Sequence, residues 1–176
     1  MPKRTRARPN VLVTGTPGCG KTTLAAALAS ATGLTHIDVG VAIKDEALHS
    51  GWDESFQCHT VDEDKVVDAL EARLSAGGCV VDYHSCGFFP ERWFQLVVVL
   101  RTNNTVLYDR LAARNYSQKK VTENIDCEIF GVVAEEAADS YAEGVVRELV
   151  SETEEDKARN LAELTAWVVE HEAQPT

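Results

Sequence analysis

Apolar and polar positions follow two different periods along this chain. Short apolar runs at Val11-Leu12-Val13, Cys79-Val80-Val81 and Leu96–Leu100 read as buried strands, with Thr35–Asp38 and Val145–Val150 as weaker ones. Between them apolar residues recur at helical spacing. The Ala/Leu-rich stretch after Lys21 stops at Gly33, and Val39, Ile43 and Ala47 share a stripe within a helix expected over Val39–His49. Val66, Val67, Leu70 and Leu74 form one face of a helix closed by Gly77-Gly78, with Thr60 and Glu63 spaced as a capping box. Asn103 or Asn104 caps a helix running to Ala113, Val121–Tyr141 reads as one long helix, and Leu161, Leu164 and Val168 mark a last one. Ser50–Thr60 shows neither period and is expected to be an irregular, substrate-facing segment. Strands alternating with helices predict an α/β fold: a parallel sheet covered on both faces, with right-handed crossovers. Ligands of such sheets bind at the carboxyl ends of the strands. The segments after Gly15, Asp82 and Arg101 therefore gather on one edge.

The first of those segments carries chemistry. Gly15-Thr16-Pro17-Gly18-Cys19-Gly20-Lys21-Thr22 has the G-x-x-x-x-G-K-T spacing of a phosphate-binding loop, between the strand and the helix that confirm it. Its glycines allow a tight turn whose N–H groups converge on an anion. Lys21 supplies an ammonium for β/γ-phosphates and Thr22 a hydroxyl for Mg²⁺. Gly18, Gly20 and Thr23 supply further donors to phosphates. The chain binds a nucleoside triphosphate on this reading.

Composition narrows the setting. The chain has 176 residues, 44% apolar and 26% charged, in the range of globular proteins. No stretch approaches the roughly 20 apolar residues of a membrane span, and residues 1–9 lack the apolar region of a secretory signal. The net charge is −11. Lys3, Arg4, Arg6 and Arg8 give the first nine residues a basic character that fits a flexible tail, a tether or a nuclear-import signal. The remaining 13 Lys/Arg face 28 Asp/Glu, so residues 10–176 carry −15, which disfavours strong nucleic-acid binding and suits a basic protein partner. Five cysteines without C-x-x-C spacing suggest free thiols, and Cys58-His59 and His84/Cys86 match no zinc-ligand pattern.

More specific stretches accompany the phosphate loop: Val61-Asp62-Glu63-Asp64, Val81-Asp82-Tyr83-His84, Phe88-Phe89-Pro90-Glu91-Arg92-Trp93-Phe94, Val99-Leu100-Arg101-Thr102, the Arg110/Arg114 pair, and Glu123–Phe130. In this order and spacing the chain resembles the adenylate kinase isoenzyme 6 family, also described as coilin-interacting nuclear ATPases or ribosome-assembly ATPases. The resemblance covers roughly residues 10–141. It implies a P-loop NTPase of the nucleoside monophosphate kinase type, with a five-stranded parallel sheet in a single domain over 10–176. A monophosphate-binding segment at 38–61 and a short lid at 113–123 go with it. It further implies Mg²⁺-dependent conversion of ATP and AMP to two ADP, ATP hydrolysis, and a part in small-subunit ribosome maturation beside a basic ribosomal protein, in nucleus and cytoplasm.

Within that resemblance Asp82 stands where a Walker-B carboxylate holds Mg²⁺, unless it merely caps the next turn. His84 completes an Asp-x-His motif that orients water or substrate. Arg110 and Arg114 share one helix face, and Arg114 at the lid junction suits stabilisation of transferring phosphoryl charge. Arg110 reaches phosphate or pairs with an acid. Arg92 reaches the monophosphate or pairs with Glu91 or Asp109. Two departures stand out. Lys44 replaces the arginine expected to grip the monophosphate, keeping charge but losing the bidentate fork. Gly87 stands where the family has aspartate. A nucleotide-switched assembly ATPase with little kinase turnover, and another P-loop small-molecule kinase, remain alternatives. A GTPase is a third reading, disfavoured because there is no N/T-K-x-D run and no D-x-x-G after the second strand.

Overall fold

A computed structural model of the chain describes residues 6–55 and 58–173. Five parallel strands form the main sheet: β1 (Val11–Gly15), β2 (Thr35–Asp38), β5 (Cys79–Asp82), β6 (Leu96–Arg101) and β7 (Val146–Val150), in the order β2-β5-β1-β6-β7. β1 is central and fully buried because it has a strand on each side and helices above and below. Its residues alternate between two cores, as a strand's side chains must. Leu12 joins Val81, Val97 and Val99 against α2 (Val39–Asp45), α3 (Glu63–Ala76) and α6 (Val132–Ser140). Val11 and Val13 join Val80, Val98 and Leu100 against α1 (Lys21–Thr32), α4 (Asn104–Ala113), α5 (Gln118–Ile129) and α7 (Glu154–Ala173). Buried Asn10 ties the amino ends together: its Nδ2 donates to Leu74 O and Trp93 O, and its Oδ1 accepts from Cys79 N.

Several elements differ from the sequence pattern. Ser50–Thr60 is not irregular throughout: β3 (His49–Asp53) and β4 (Cys58–Val61) pair antiparallel, while residues 56 and 57 lie outside the described residues. Gly51 and Trp52 are exposed and Asp53 only half-buried, so no apolar face existed to give a period of two. α2 ends at Asp45, where Ala47 adopts φ 52° and Leu48 N donates to Ile43 O. Asp62, not Thr60, caps α3, accepting from Lys65 N at 3.2 Å. The expected helix over Val121–Tyr141 is two helices, α5 and α6, separated at Gly131 in the left-handed conformation (φ 64°). Of the expected lid at 113–123, only 114–117 lies outside helices; Ala113 ends α4 and 118–123 is the start of α5. Residues 1–5 of the basic leader lie outside the described residues, but Arg6 and Arg8 are anchored. Arg6 donates to the carbonyls of Arg92 and Trp93, and Arg8 binds Glu172 and the carbonyls of Thr32 and Gly33.

Candidate active site

The phosphate loop leaves β1 at Gly15 and enters α1 at Lys21. Gly18 (φ 96°) passes so close to α4 that a Cβ would lie 2.8 Å from Leu107 Cδ1. Gly20 (φ 91°) precedes α1 and contributes no side-chain cap, leaving the first amide donors of the helix to a ligand. The loop borders a cleft of about 530 Å³ lined also by Lys21, Thr22, Thr23, His84, Arg114, Tyr116, Lys120, Glu123, Asn124, Cys127 and Val133. The segments that follow β1 and β5 thus meet the α4–α5 connection in one place.

Lys21 Nζ donates to Thr16 O at 3.3 Å. Crowding by protein lowers its pKa to about 8; Asp82 opposes the fall and Arg114 adds to it. Thr22 Oγ1 donates to Asp82 Oδ1 at 2.9 Å, and His36 Nε2 is hydrogen-bonded to Asp82 Oδ2. Burial raises the Asp82 pKa, while the His36 and Thr22 bonds pull it back. Asp38 lies opposite Asp82 across β2 and β5, and its carboxylate caps α2. His84 has an accessible edge in the cleft, yet desolvation by the surrounding walls and then the Lys21 charge lower its pKa to about 4, so its ring is neutral at physiological pH. The donor set suits Mg²⁺-nucleotide: Thr22 and Asp82 present hard oxygens together, beside a glycine turn and a helix start shaped for phosphate.

Three of the expected site residues do not line this cleft. Arg110 sends its guanidinium to the carbonyls of Gly18, Ser151 and Glu152, and Ser151 Oγ donates to Cys19 O. It knits the phosphate loop to the segment before α7. Lys44 is exposed on α2, outside the cleft lining. Arg92 is a correction: it precedes β6 at the amino edge of the sheet, opposite the phosphate loop, and pairs with Glu71 of α3 at 2.9 Å. Neither Glu91 nor Asp109 is its partner. It cannot reach a monophosphate there, and its neighbour Trp93 is wholly buried, with Nε1 donating to the same Glu71.

Sequence reasoning missed four residues. His36 sits on a weak strand and gave no signal. Lys120 of α5 lines the cleft with its ammonium 4.1 Å from the Tyr116 ring centroid. Glu128 is buried and accepts from Thr16 Oγ1 (2.7 Å), Arg101 Nε (2.7 Å) and Thr102 N (3.2 Å). It was findable, since it falls seven residues after Val121 on the inward face of the helix. Glu136 of α6 accepts at one oxygen from Ser85 Oγ, Cys86 N and Gly87 N. A Cβ at position 87 would lie 2.9 Å from that oxygen, so the glycine there admits the carboxylate.

Comparison with known proteins gives consistent likenesses. A family described as an AAA domain matches residues 11–131. A Dictyostelium discoideum protein named adenylate kinase isoenzyme 6 homolog is 52% identical over 163 residues, 93% of each chain. A Caenorhabditis elegans protein of the same name is 51% identical, covering 89% of this chain and 87% of its own. A Saccharomyces cerevisiae homolog is 44% identical, covering 92% and 83%. Among solved structures, shikimate kinase from Bacteroides thetaiotaomicron superposes with a TM-score of 0.63 at 16% identity, over 92% of this chain and 98% of its own. A gluconokinase from Sinorhizobium meliloti gives 0.55 at 16% identity, over 94% and 98%. These structural likenesses concern the fold, a P-loop kinase sheet.

Proposed function

Because this chain belongs to the adenylate kinase isoenzyme 6 family of P-loop kinases and ATPases, we propose that it transfers the γ-phosphoryl group of ATP to AMP and also hydrolyses ATP. The observation that carries the proposal is the Thr22–Asp82 hydrogen bond at the mouth of a cleft also lined by Lys21, His84 and Arg114. Bound at Thr22 and Asp82, Mg²⁺ would supply positive charge to phosphate oxygens. Lys21 and the α1 amides hold the phosphates, and His36 fixes the orientation of Asp82. Arg114 and Lys120 bring cationic charge from the α4–α5 side, where charge on the equatorial oxygens is stabilised as the transfer proceeds. His84, neutral, holds water or the acceptor by a hydrogen bond rather than by charge. The β3–β4 hairpin and α2, with Lys44, form the acceptor side.

The test is ADP formation from ATP and AMP with an AMP-free control. We expect AMP-dependent ADP, abolished by Lys21→Ala. Equal rates with and without AMP would leave hydrolysis as the reaction. The chain's charge of −11 favours a second role, an assembly factor that holds a basic small-subunit ribosomal protein in nucleus and cytoplasm. A pull-down with and without ATP checks it; absence of any nucleotide-dependent ribosomal partner removes it.

A further inference from the structure

The turn after β5 is gripped from outside. Glu136 Oε1 receives Ser85 Oγ at 2.9 Å, Cys86 N at 2.9 Å and Gly87 N at 2.5 Å. One turn further along, the buried Tyr141 donates its hydroxyl to Cys86 O at 2.9 Å. On the other side of His84, Tyr83 N donates to Val13 O of β1 at 3.2 Å. The His84 imidazole itself makes no hydrogen bond among the described residues; its ring contact is with Tyr83, centroids 4.3 Å apart. Its place in the cleft is therefore set by backbone fixed on both sides. The sheet fixes one side, and α6 with the residue that follows it fixes the other, through a single carboxylate oxygen and a tyrosine hydroxyl.

We propose that Glu136 is the positioning residue for His84: it holds the Ser85–Gly87 turn so that the imidazole projects into the cleft beside Lys21. The inference rests on the reading of His84 as a working side chain of that cleft. What the turn requires is an acceptor at one fixed point, not a negative charge, because all three donors converge on the same oxygen. Glutamine can supply that acceptor. Aspartate keeps the charge but withdraws it by one methylene. The two substitutions therefore separate positioning from electrostatics, and both keep a polar group of similar size in a half-buried place.

The experiment uses the full chain with Glu136→Gln, Glu136→Asp, His84→Ala and the double variant His84→Ala/Glu136→Asp. Turnover is measured as ADP formed with and without AMP. Glu136→Asp is expected to lower kcat by about tenfold or more, with the KM for ATP changed by less than about twofold, as misplacement of a working group does. Glu136→Gln is expected to stay within about threefold of the parent on the same scale. The double variant is expected to be no slower than His84→Ala alone, because Glu136 acts through His84. A reading independent of turnover accompanies this. The imidazole NMR resonance of His84, identified by its loss in His84→Ala, shifts at fixed pH in Glu136→Asp and stays in place in Glu136→Gln. An active Glu136→Asp, an impaired Glu136→Gln, multiplying effects in the double variant, or an unmoved resonance in Glu136→Asp overturns the proposal. If the parent shows no turnover above Lys21→Ala, the proposed function fails, and the resonances alone decide the positioning role.

Discussion

Lys21 holds a cationic side chain in a crowded cleft before any anion arrives, and that has a thermodynamic signature. Its pKa falls from 10.5 to about 8 on folding. Between those values the unfolded chain binds more protons than the folded one, so this group's contribution makes the ligand-free protein more stable as pH rises. Below pH 8 the folded state carries the full cost of the desolvated ammonium. Buried thiols such as Cys86, raised to about 12, act in the opposite sense above pH 9, so the comparison must be internal. Urea unfolding of parent and Lys21→Met at pH 7.5 and 9.5 should show the stability advantage of Lys21→Met shrinking at the higher pH. At Thr14 the conflict is simpler. Its Oγ1 is buried with no hydrogen-bond partner among the described residues. Thr14→Val should stabilise the protein by about 1 kcal/mol, raising Tm by roughly 2–4 °C. A lower Tm would show that the hydroxyl has a partner after all.

At the scale of elements, α5 and α6 link the parts of the site. α5 carries Lys120 and Glu123 at the cleft, and Glu128 beneath the phosphate loop; Gly131 then turns the chain so that α6 brings Glu136 to the β5 turn. Glu128→Ala would leave Arg101 with only the exposed Glu148 as an ion partner and strand Thr16 Oγ1, costing about 1–3 kcal/mol in chemical denaturation. Much of this frame was legible in the sequence. The apolar runs of β1, β5 and β6 and the G-x-x-x-x-G-K-T spacing define the core of the sheet and one half of the cleft. What escaped was set by contacts distant in sequence. Arg92 pairs with Glu71 because its turn lies at the amino edge, and nothing local distinguishes it from a phosphate-binding arginine. The β3–β4 pair escaped because β3 has no buried face to impose a pattern. If that hairpin serves the acceptor, replacing residues 50–60 with a short glycine–serine loop should abolish AMP-dependent ADP formation while leaving ATP binding intact, measured by calorimetry.

At the scale of the whole molecule, the start of the chain is part of the body rather than an appendage from Arg6 onward. Arg8 joins the C-terminal end of α1 to Glu172 of α7 by three contacts at 2.6–3.0 Å, to the carbonyls of Thr32 and Gly33 and the carboxylate of Glu172. Arg8→Ala should lower Tm by about 2–4 °C, as loss of roughly 1 kcal/mol does in a domain of this size. An unchanged Tm would return this segment to the status of a loose leader. Four residues, 114–117, join α4 to α5 between two helices that are each anchored independently, α4 by Leu107 and Leu111 and α5 by Glu128. Length added within that connection enlarges the cover over the cleft without displacing either anchor, whereas a single residue inserted within α6 ahead of Glu136 turns that carboxylate by about 100° about the helix axis, away from the β5 turn. Cover size is therefore a freely adjustable dimension of this architecture, and the helical register of Glu136 is not.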